Sequence, residues 1–528
     1  MRPVIRSDHH VGLRVLGGVL LAILCLPLLY LIVRSSDLGV DAARAVFTRS
    51  QTWWALARTV VLGLGVAAAC VTLSVPLAWL THATDLPGRR AFRIILNLPL
   101  AVPSYVSAFV VIATLAPGGW LYQLAQYVGV TPDIYGGWGA FLALLYTYPF
   151  ALLSIQAALG RTDPRIWESA RILGAGPRQA FWRVVMPGLR PAMASGGLLV
   201  ALYAIGDFGA VSLSRYQSLS YIIYIREKSL FDRDEATFLA LLLISVATLL
   251  VASLLVLRGR TDQATTTHGS HRTWPVIALG AWRWPSFALC LAVAGVGVAL
   301  PMALVVYWLW RGVRQGHDLS FPVAELSNSL ILSAGGAALI VSLALIPAIV
   351  NRYARGRRQR GMHMLTHIGY ALPGIVVALA LVSFATAYAY PLYQTFSLLM
   401  LAYVIRFFPL AIHTVDDAVA SHNRGLFLAA RSLGCSPIAA SVRVIVPAMK
   451  PAILAGFLAV FIAVLKELPV TLLLSPIELT TLATRIWSLT EDAYYSQVAP
   501  AVLILLALAV AGLLLAPDTR PRPGGRRG

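Results

Sequence analysis

The stretch ESARILGAGPRQAFWRVVMPGLRPA, residues Glu168–Ala192, is short, basic and rich in proline and glycine. The chain nearly repeats it as LAARSLGCSPIAASVRVIVPAMKPA, residues Leu428–Ala452. Between Arg171–Ala192 and Arg431–Ala452, 10 of 22 positions are identical at a constant offset of 260 residues. Long apolar segments flank both copies. The sequence therefore predicts an internal duplication in which each half carries the same polar insert.

The composition indicates an integral membrane protein. Of 528 residues, 58% are hydrophobic and only 12% are charged, whereas a soluble domain has roughly 25% charged residues. The net charge of +20 would suit a nucleic-acid binder only if the basic residues clustered on a polar domain. The sequence has no such domain, so nucleic acid is not an expected partner and membrane lipid is.

Twelve segments are apolar enough to cross a bilayer, which takes about 20 such residues in a helix. They form two sets of six on either side of a polar linker, and predict an all-α polytopic fold. The predicted spans are 11–33, 56–81, 94–115, 137–160, 192–214 and 236–257, then 285–310, 327–350, 364–389, 395–420, 452–475 and 498–516.

Basic residues orient these spans, because cytoplasmic loops are enriched in Lys and Arg. With both termini placed in the cytoplasm, the inner segments hold 29 Lys and Arg residues and the outer segments hold 10. Since six spans is an even number, the two halves have the same orientation and form a parallel repeat. The predicted organisation is a first half 1–257 (core about 55–257), a linker 258–283, a second half 284–517 (core about 326–516) and a basic tail 518–528.

Each insert is predicted to start with a short amphipathic helix. Asp163 is a suitable N-cap before Pro164, and Gly174 is a suitable stop. Asn423 and Gly434 are the equivalents in the second copy. The apolar face is predicted to carry Ile166, Trp167, Ala170 and Leu173 in the first copy, and Leu426, Phe427, Ala430 and Leu433 in the second. A second short helix is expected from Pro177 or Pro437, ending before Pro187 or Pro447.

Two roles fit such helices. One is an interfacial helix that lies among lipid headgroups. The other is a helix presented to a groove on a partner protein. Duplication favours the partner, because two matching helices imply two matching grooves.

The inserts resemble the EAA loop of ABC importer permeases, with Leu428 in the second copy where the motif has glutamate. The resemblance implies the type I ABC importer transmembrane fold and a loop that couples to an ATPase. The implied coupling residues are Trp167, Glu168, Ser169, Ala170, Gly174 and Pro187, and Phe427, Ala429, Ala430, Gly434 and Pro447. It also implies two copies of the ATPase, an extracytoplasmic solute-binding protein and a place in the bacterial cytoplasmic membrane.

The fused layout, with GDFGAVSLSRYQSLSYIIY at Gly206–Tyr224 and KELPVTLLLSPIELTTLATRIW at Lys466–Trp487, resembles the ferric-iron importer permeases. Ferric iron is therefore the expected solute, and fused relatives for thiamine or a phosphonate compound remain alternatives. An ion-coupled twelve-helix secondary carrier would share the parallel halves, but would not need a duplicated docking loop. A polytopic membrane enzyme should show a catalytic cluster, and none is visible.

The sequence has no phosphate loop of the GxxxxGKS type. We therefore expect a transport subunit rather than an enzyme, with no catalytic residue, no cofactor of its own, and ATP and Mg²⁺ used by the partner ATPase. No metal site is predicted. His363 with His367, and His268 with His271, fall on the cytoplasmic side, away from an external metal.

Residues inside the spans provide candidates for the solute pathway. Asp207 and Glu467 occupy equivalent positions in the fifth span of each half, and an ionisable residue at membrane depth suggests function. The alternative is that each caps a broken helix or pairs with a neighbour such as Lys466 or Arg215. Pro103 and Pro373, together with Pro99, are expected to kink or break the third spans. Tyr216, Tyr221 and Tyr224 are interpreted as interface-belt or partner-contact residues.

Overall fold

The structure is a computed structural model that describes residues 9–117, 119–127, 129, 133–228, 232–259, 274–353, 372–421 and 429–515. Within these ranges the ordered elements are helices. The described residues also contain one isolated parallel bridge, between Thr84 and Ile277. The predicted all-α fold is confirmed.

Residues 9–314 form fifteen α-helices within the described ranges, and the last two of these belong to the first span of the second half. They are α1 (His9–Phe47), α2 (Ser50–Ala83), α3 (Arg89–Ile95), α4 (Ser104–Leu115), α5 (Trp120–Tyr127), α6 (Gly137–Leu144), α7 (Tyr148–Arg161), α8 (Pro164–Ile172), α9 (Pro177–Ala180), α10 (Met186–Gly206), α11 (Gly209–Leu213), α12 (Leu219–Lys228), α13 (Arg233–Gly259), α14 (Arg283–Ala294) and α15 (Leu300–Arg314). A π-helical turn at Phe181–Val185 joins α9 to α10, and another at Gly295–Ala299 joins α14 to α15.

The rest of the described chain repeats this order. Its helices are α16 (Val323–Tyr353), α17 (Gly374–Tyr388), α18 (Phe396–Ser421), α19 (Pro437–Ala440), α20 (Val446–Ala448), α21 (Lys450–Leu465), α22 (Pro469–Leu474), α23 (Leu482–Glu491) and α24 (Tyr495–Leu515). A π-helical turn at Ser441–Ile445 joins α19 to α20, as in the first half.

Every predicted span has a counterpart among the described residues. Within the described ranges, nine helices are long and apolar enough to cross a membrane, and the number rises to eleven if each of two bent helix pairs is one span. The predicted span 364–389 is represented by α17, a shorter apolar helix. The part of that span before residue 372 lies outside the described residues.

Proline breaks the third span of the first half, as predicted. The segments Arg89–Ala101 and Ser104–Leu115 meet at an angle of 95°. Pro99 lies in a 3₁₀ turn, and Pro103 immediately precedes α4 in an extended conformation. Proline lacks the N–H that would continue the helical hydrogen bonds. Pro373 likewise immediately precedes α17.

The described chain forms two compact units that differ from the two halves of the sequence. One unit contains residues 40–321 and 486–503, and the other contains the residues up to 39, 322–485 and those from 504. The first span of each half is thus grouped with the other half's helices. Gly39, with φ 78°, interrupts α1 where the two units divide. The predicted domain boundaries describe the sequence repeat and stay a prediction.

Side-chain contacts explain why the first spans group in this way. Within one unit, the Tyr30 ring of α1 packs edge-on against Phe384 of α17 at 5.8 Å between centroids. Within the other, the Tyr146 hydroxyl donates to the Val296 carbonyl at 2.8 Å. A Cβ on Gly297 would lie 2.8 Å from Pro99 Cγ, so glycine at this position permits the close approach.

The same three-helix core occurs in each unit. In one, α2, α7 and α10 pack pairwise, and in the other α16, α18 and α21 do so. These are the second, fourth and fifth spans of each half. Because the inserts join the fourth span to the fifth, each insert is connected at both ends to a helix of a packed core.

Candidate functional site

The first helix of the first insert begins and ends where its sequence predicts. The Asp163 carboxylate accepts a hydrogen bond from the Arg165 N–H at 3.0 Å, and α8 starts at Pro164. Gly174 has a φ of 87°, and the Ala175 N–H donates to the Ala170 carbonyl at 3.0 Å. This is a left-handed helix stop, which glycine reaches without the cost of a Cβ.

The second insert ends with the same geometry. Residues 429–432 are helical, Gly434 has a φ of 88°, and the Cys435 N–H donates to the Ala430 carbonyl at 3.1 Å. Arg431 Nη1 donates to the Cys435 carbonyl at 2.7 Å, just as Arg171 Nη1 does to that of Ala175. The predicted cap Asn423, and Leu426, Phe427 and Leu428, lie outside the described residues.

The predicted second short helix does not end where expected. In the first insert the chain continues through α9 and the π-helical turn into α10, and Pro187 lies in the first turn of α10. The π-helical turn immediately before α10 interrupts the regular helical hydrogen-bond pattern next to this proline. In the second insert the helix runs past Pro447 to Ala448, and a 62° bend follows. The proline in each copy is therefore inside a helix and not after its end.

The predicted apolar face of α8 is divided between two sides. Trp167 is 6% exposed and packs against Trp79 of α2 with ring centroids 5.3 Å apart. Leu173 is 87% exposed, and the unpredicted Ile172 is 85% exposed. Trp167 is therefore not part of an exposed apolar face, because α2 provides an aromatic partner that the helical spacing does not reveal. Its role in coupling to a partner stays a prediction.

The exposed apolar end of each insert is nevertheless the same. Leu433 is 85% exposed, and it occupies the position of Leu173 immediately before the glycine stop. Around these leucines, Glu168 and Ala170 are half-buried, Ser169 and Ala429 are exposed, and Ala430 is buried. The two inserts therefore present a leucine from a helix end of fixed geometry, which suits a groove on a partner protein.

The two predicted pathway carboxylates both cap a short helix after a broken span. Asp207 is 7% exposed, and its Oδ1 accepts from the Ala210 N–H of α11 at 2.8 Å. Glu467 is 5% exposed, and its Oε1 accepts from the Val470 N–H of α22 at 3.2 Å. This is the capping alternative that the sequence left open, and the repeat preserves it.

Glu467 has an ion-pair partner that the sequence analysis missed. Its Oε2 lies 2.9 Å from Nε of Arg406 on α18. A Cβ on Gly374 would lie 2.5 Å from Arg406 Nη1 and 2.9 Å from Glu467 Oε1, so the first residue of α17 is a glycine because the pair occupies that space. Arg406 lies in the middle of the predicted span 395–420. Because a buried charge is normally paired, its position in the sequence indicates that it has a charged partner.

The three tyrosines are placed for packing. The Tyr216 hydroxyl donates to the Arg58 carbonyl at 3.1 Å, and Tyr224 packs against Phe208 at 4.7 Å between centroids. Burial raises the pKa of Tyr221 and Tyr224, and the nearby Glu491 raises both further. These contacts fit packing, and the interpretation of the tyrosines as interface-belt or partner-contact residues stays a prediction.

Among the described residues, no group of three or more His, Cys, Asp and Glu side chains could hold a metal ion. His268, His271, His363 and His367 lie outside those residues.

A duplicated set of broken and continuous apolar helices, with a matching polar insert after each fourth span, is the arrangement that the resemblance to importer permeases implies. The chain belongs to the family of binding-protein-dependent transport system inner membrane components, whose pattern it matches twice, over residues 74–267 and 334–516. Each match contains one of the two inserts. The chain is therefore a multi-pass ABC importer permease with both membrane halves fused, as the resemblance implied.

Individual relatives agree with this assignment. The chain is 30% identical to the Fe(3+)-transport system permease protein FbpB 2 of Haemophilus influenzae over 489 residues, which cover 92% of this chain and 93% of that protein. It is 28% identical to the sulfate transport system permease protein CysT of Salmonella typhimurium over 255 residues, 47% of this chain and 91% of that protein. The CysT protein of Synechococcus elongatus is 28% identical over 190 residues, 36% of this chain and 68% of that protein.

Proposed function

We propose that this permease imports ferric iron delivered by an extracytoplasmic binding protein. The observation that carries the proposal is the match to the Haemophilus ferric permease, which runs through both halves of the chain. The matches to the two CysT proteins each cover less than half of it. The solute is a substrate in transit, so the proposal requires no resident metal site.

Uptake by the reconstituted importer tests the solute. The permease, its ATPase and its binding protein are placed in proteoliposomes, and uptake of radioactive ferric iron is measured with and without internal ATP. ATP-dependent iron uptake is expected, with no uptake of radioactive sulfate under the same conditions. ATP-dependent sulfate or thiamine uptake without iron uptake would reject ferric iron as the solute.

We also propose that two copies of an ATPase subunit dock at the two inserts, one at each glycine-stopped helix. Leu173 and Leu433, exposed to nearly the same degree, support two equivalent contacts. The chain lacks a phosphate loop, so ATP and Mg²⁺ bind to the partner. Native mass spectrometry of the assembled complex should show two ATPase subunits for each permease chain, and one would contradict the proposal.

The orientation belongs to the same proposal. With both termini in the cytoplasm, the inserts and the excess of basic residues lie on the ATPase side, as the 29 to 10 distribution supports. Single cysteines at Ser169 and at Gln394 should react with an impermeant thiol reagent from opposite sides of the membrane. Labelling of both positions from the outside would contradict the proposed topology.

For the pathway, we propose that Asp207, Glu467, Pro103 and Pro373 lie along the solute route. Asp207, Glu467 and Pro103 lie at breaks in spans, and Pro373 immediately precedes α17. Irregular backbone at membrane depth is tolerated where protein buries it or it lines a cavity. Asp207→Asn is the appropriate test, because asparagine keeps the capping oxygen and removes only the charge. Reduced iron uptake at unchanged complex yield is expected, and unchanged uptake would leave Asp207 as a helix cap.

A further inference from the structure

The last part of the linker is fixed to the end of the second span of the first half. The Ile277 N–H donates to the Ala83 carbonyl at 2.9 Å, and the Ile277 carbonyl accepts from the Asp85 N–H at 3.1 Å. The Leu279 N–H donates to Asp85 Oδ1 at 2.9 Å. Residues 274–279 thus lie across the end of α2, held by two backbone hydrogen bonds and one to a side chain.

Trp274 extends these contacts to the first insert. It is 9% exposed, and its Nε1–H donates to the Leu159 carbonyl at the end of α7 at 2.9 Å. Its ring lies 5.5 Å from that of Trp79. The Trp79 ring also contacts Trp167 of α8 at 5.3 Å and Phe181 of the π-helical turn at 4.9 Å. The four rings form one cluster, which we call the aromatic clamp.

The aromatic clamp determines where α8 points. A helix of nine residues is too short to be stable by itself, so its position depends on what its buried side chains contact. Within α8 the buried residues are Pro164 and Trp167. Movement of Trp167 in the clamp would therefore move the exposed Leu173 at the other end of the helix.

The second insert has different residues at the clamp positions. At the repeat offset of 260, Ser441 takes the place of Phe181, and Phe427 takes that of Trp167. Aligning Pro347 with Pro76 places Val350 at the position of Trp79. The sequence of the second half therefore lacks the central tryptophan and one of the rings that surround it.

We propose that residues 274–279 act as a strap that positions the first ATPase-docking helix, with Trp274 as the positioning residue. This rests on the proposed function, in which α8 receives an ATPase subunit. The strap makes the two docking helices unequal, because a change at Trp274 reaches the first insert through Trp79 and Trp167. The sequence of the second half has Val350 and Ser441 at the positions of Trp79 and Phe181. The linker joining the fused halves therefore contributes to coupling at one insert.

Crosslinking at each insert in turn tests the strap. Ser169→Cys and Ala429→Cys occupy equivalent exposed positions, and native Cys435 is replaced by alanine so that the second insert has one reactive thiol. The full permease is assembled with an ATPase carrying one cysteine in its docking groove. Trp274→Ala is compared with Trp274→Phe and with Trp282→Ala, the matched control, because Trp282 is 72% exposed and outside the clamp.

In Trp274→Ala the crosslink at position 169 should fall about 3- to 10-fold, the loss expected for one buried aromatic contact. The crosslink at position 429 should be unchanged. The amount of iron transported per ATP hydrolysed should also fall in this variant. Trp274→Phe should restore most of the crosslink at position 169 and most of the transport per ATP. Trp282→Ala should change neither the crosslink nor the transport. Asp85→Ala, which removes the acceptor for Leu279 without touching the rings, should give a smaller loss at position 169 alone.

The possible failures are distinguishable. If the unsubstituted permease crosslinks at neither position, the docking assignment fails and the strap fails with it. If it crosslinks at both and Trp274→Ala changes neither, the strap alone is rejected. Equal losses at both positions in Trp274→Ala and in Asp85→Ala would mean that the segment supports the whole fold, which also rejects selective positioning.

Discussion

Truncating the exposed leucine of either insert should weaken ATPase docking with little effect on the permease itself. Leu173→Ala removes three carbon atoms, worth about 0.8 kcal/mol each when a partner buries them, or about 2.4 kcal/mol in all. That corresponds to a roughly 50-fold rise in the Kd for the ATPase. Because Leu173 is 87% exposed in the free chain, we expect the free energy of unfolding to change by less than about 0.5 kcal/mol.

The assay measures binding of the isolated ATPase subunit to the permease in nanodiscs, together with the permease's thermal stability. Leu173→Ala, Leu433→Ala and the double variant are compared with the unsubstituted chain. Leu249→Ala is the control, since Leu249 is 71% exposed on α13, a predicted membrane span. The two single variants should each weaken one of two binding events by a similar factor, because the two leucines are almost equally exposed.

Two outcomes would refute this reasoning. A change in Kd below about threefold would mean that docking does not bury these leucines. A loss of binding that is matched by a loss of thermal stability would mean that Leu173 supports the fold, in conflict with its exposure.

Further expectations concern other contacts of the same elements. Gly174→Val should reduce transport per ATP, because a β-branched residue at a φ of 87° is strained. Gly174→Asn should reduce it less. Paired uptake and ATP hydrolysis assays compare the two variants. Glu467→Gln should lower the free energy of unfolding by about 3–5 kcal/mol, because it leaves Arg406 without its counterion. A melting temperature equal to that of the unsubstituted chain would contradict this. Salt should weaken docking at the first insert more than at the second, since Glu168 is present in one copy only, and Glu168→Gln should abolish the difference in a crosslinking series.

Sequence reasoning recovered the features that depend on short stretches of chain. The spans follow from runs of apolar residues, and each has a counterpart in the described helices. The glycine stops follow from the backbone preference of one residue, and Gly174 and Gly434 have φ values within a degree of each other. The proline break before α4 has the same local origin.

The errors concern contacts between residues far apart in the sequence. Helical spacing placed Trp167 beside Leu173, but Trp79 of another helix holds Trp167 inside. The spacing also could not show that Arg406 pairs with Glu467, because α18 and the break after α21 meet only in the folded unit. The sequence predicts that the second short helix ends before Pro187, but the helix continues through Pro187 after a π-helical turn.

The grouping of the first span with later helices has a consequence for synthesis at the ribosome. Residues up to Gly39 belong to a unit whose next segment begins at Pro322. At roughly 5–20 residues per second, α1 emerges on the order of 15–60 s before the helices that will surround it. During that interval the available neighbours of α1 are lipid, the insertion machinery and the helices of residues 40–321. Its unit cannot close before residues 504–515 are made. We therefore expect cotranslational folding of this permease to finish late, with both units completed almost together by α24.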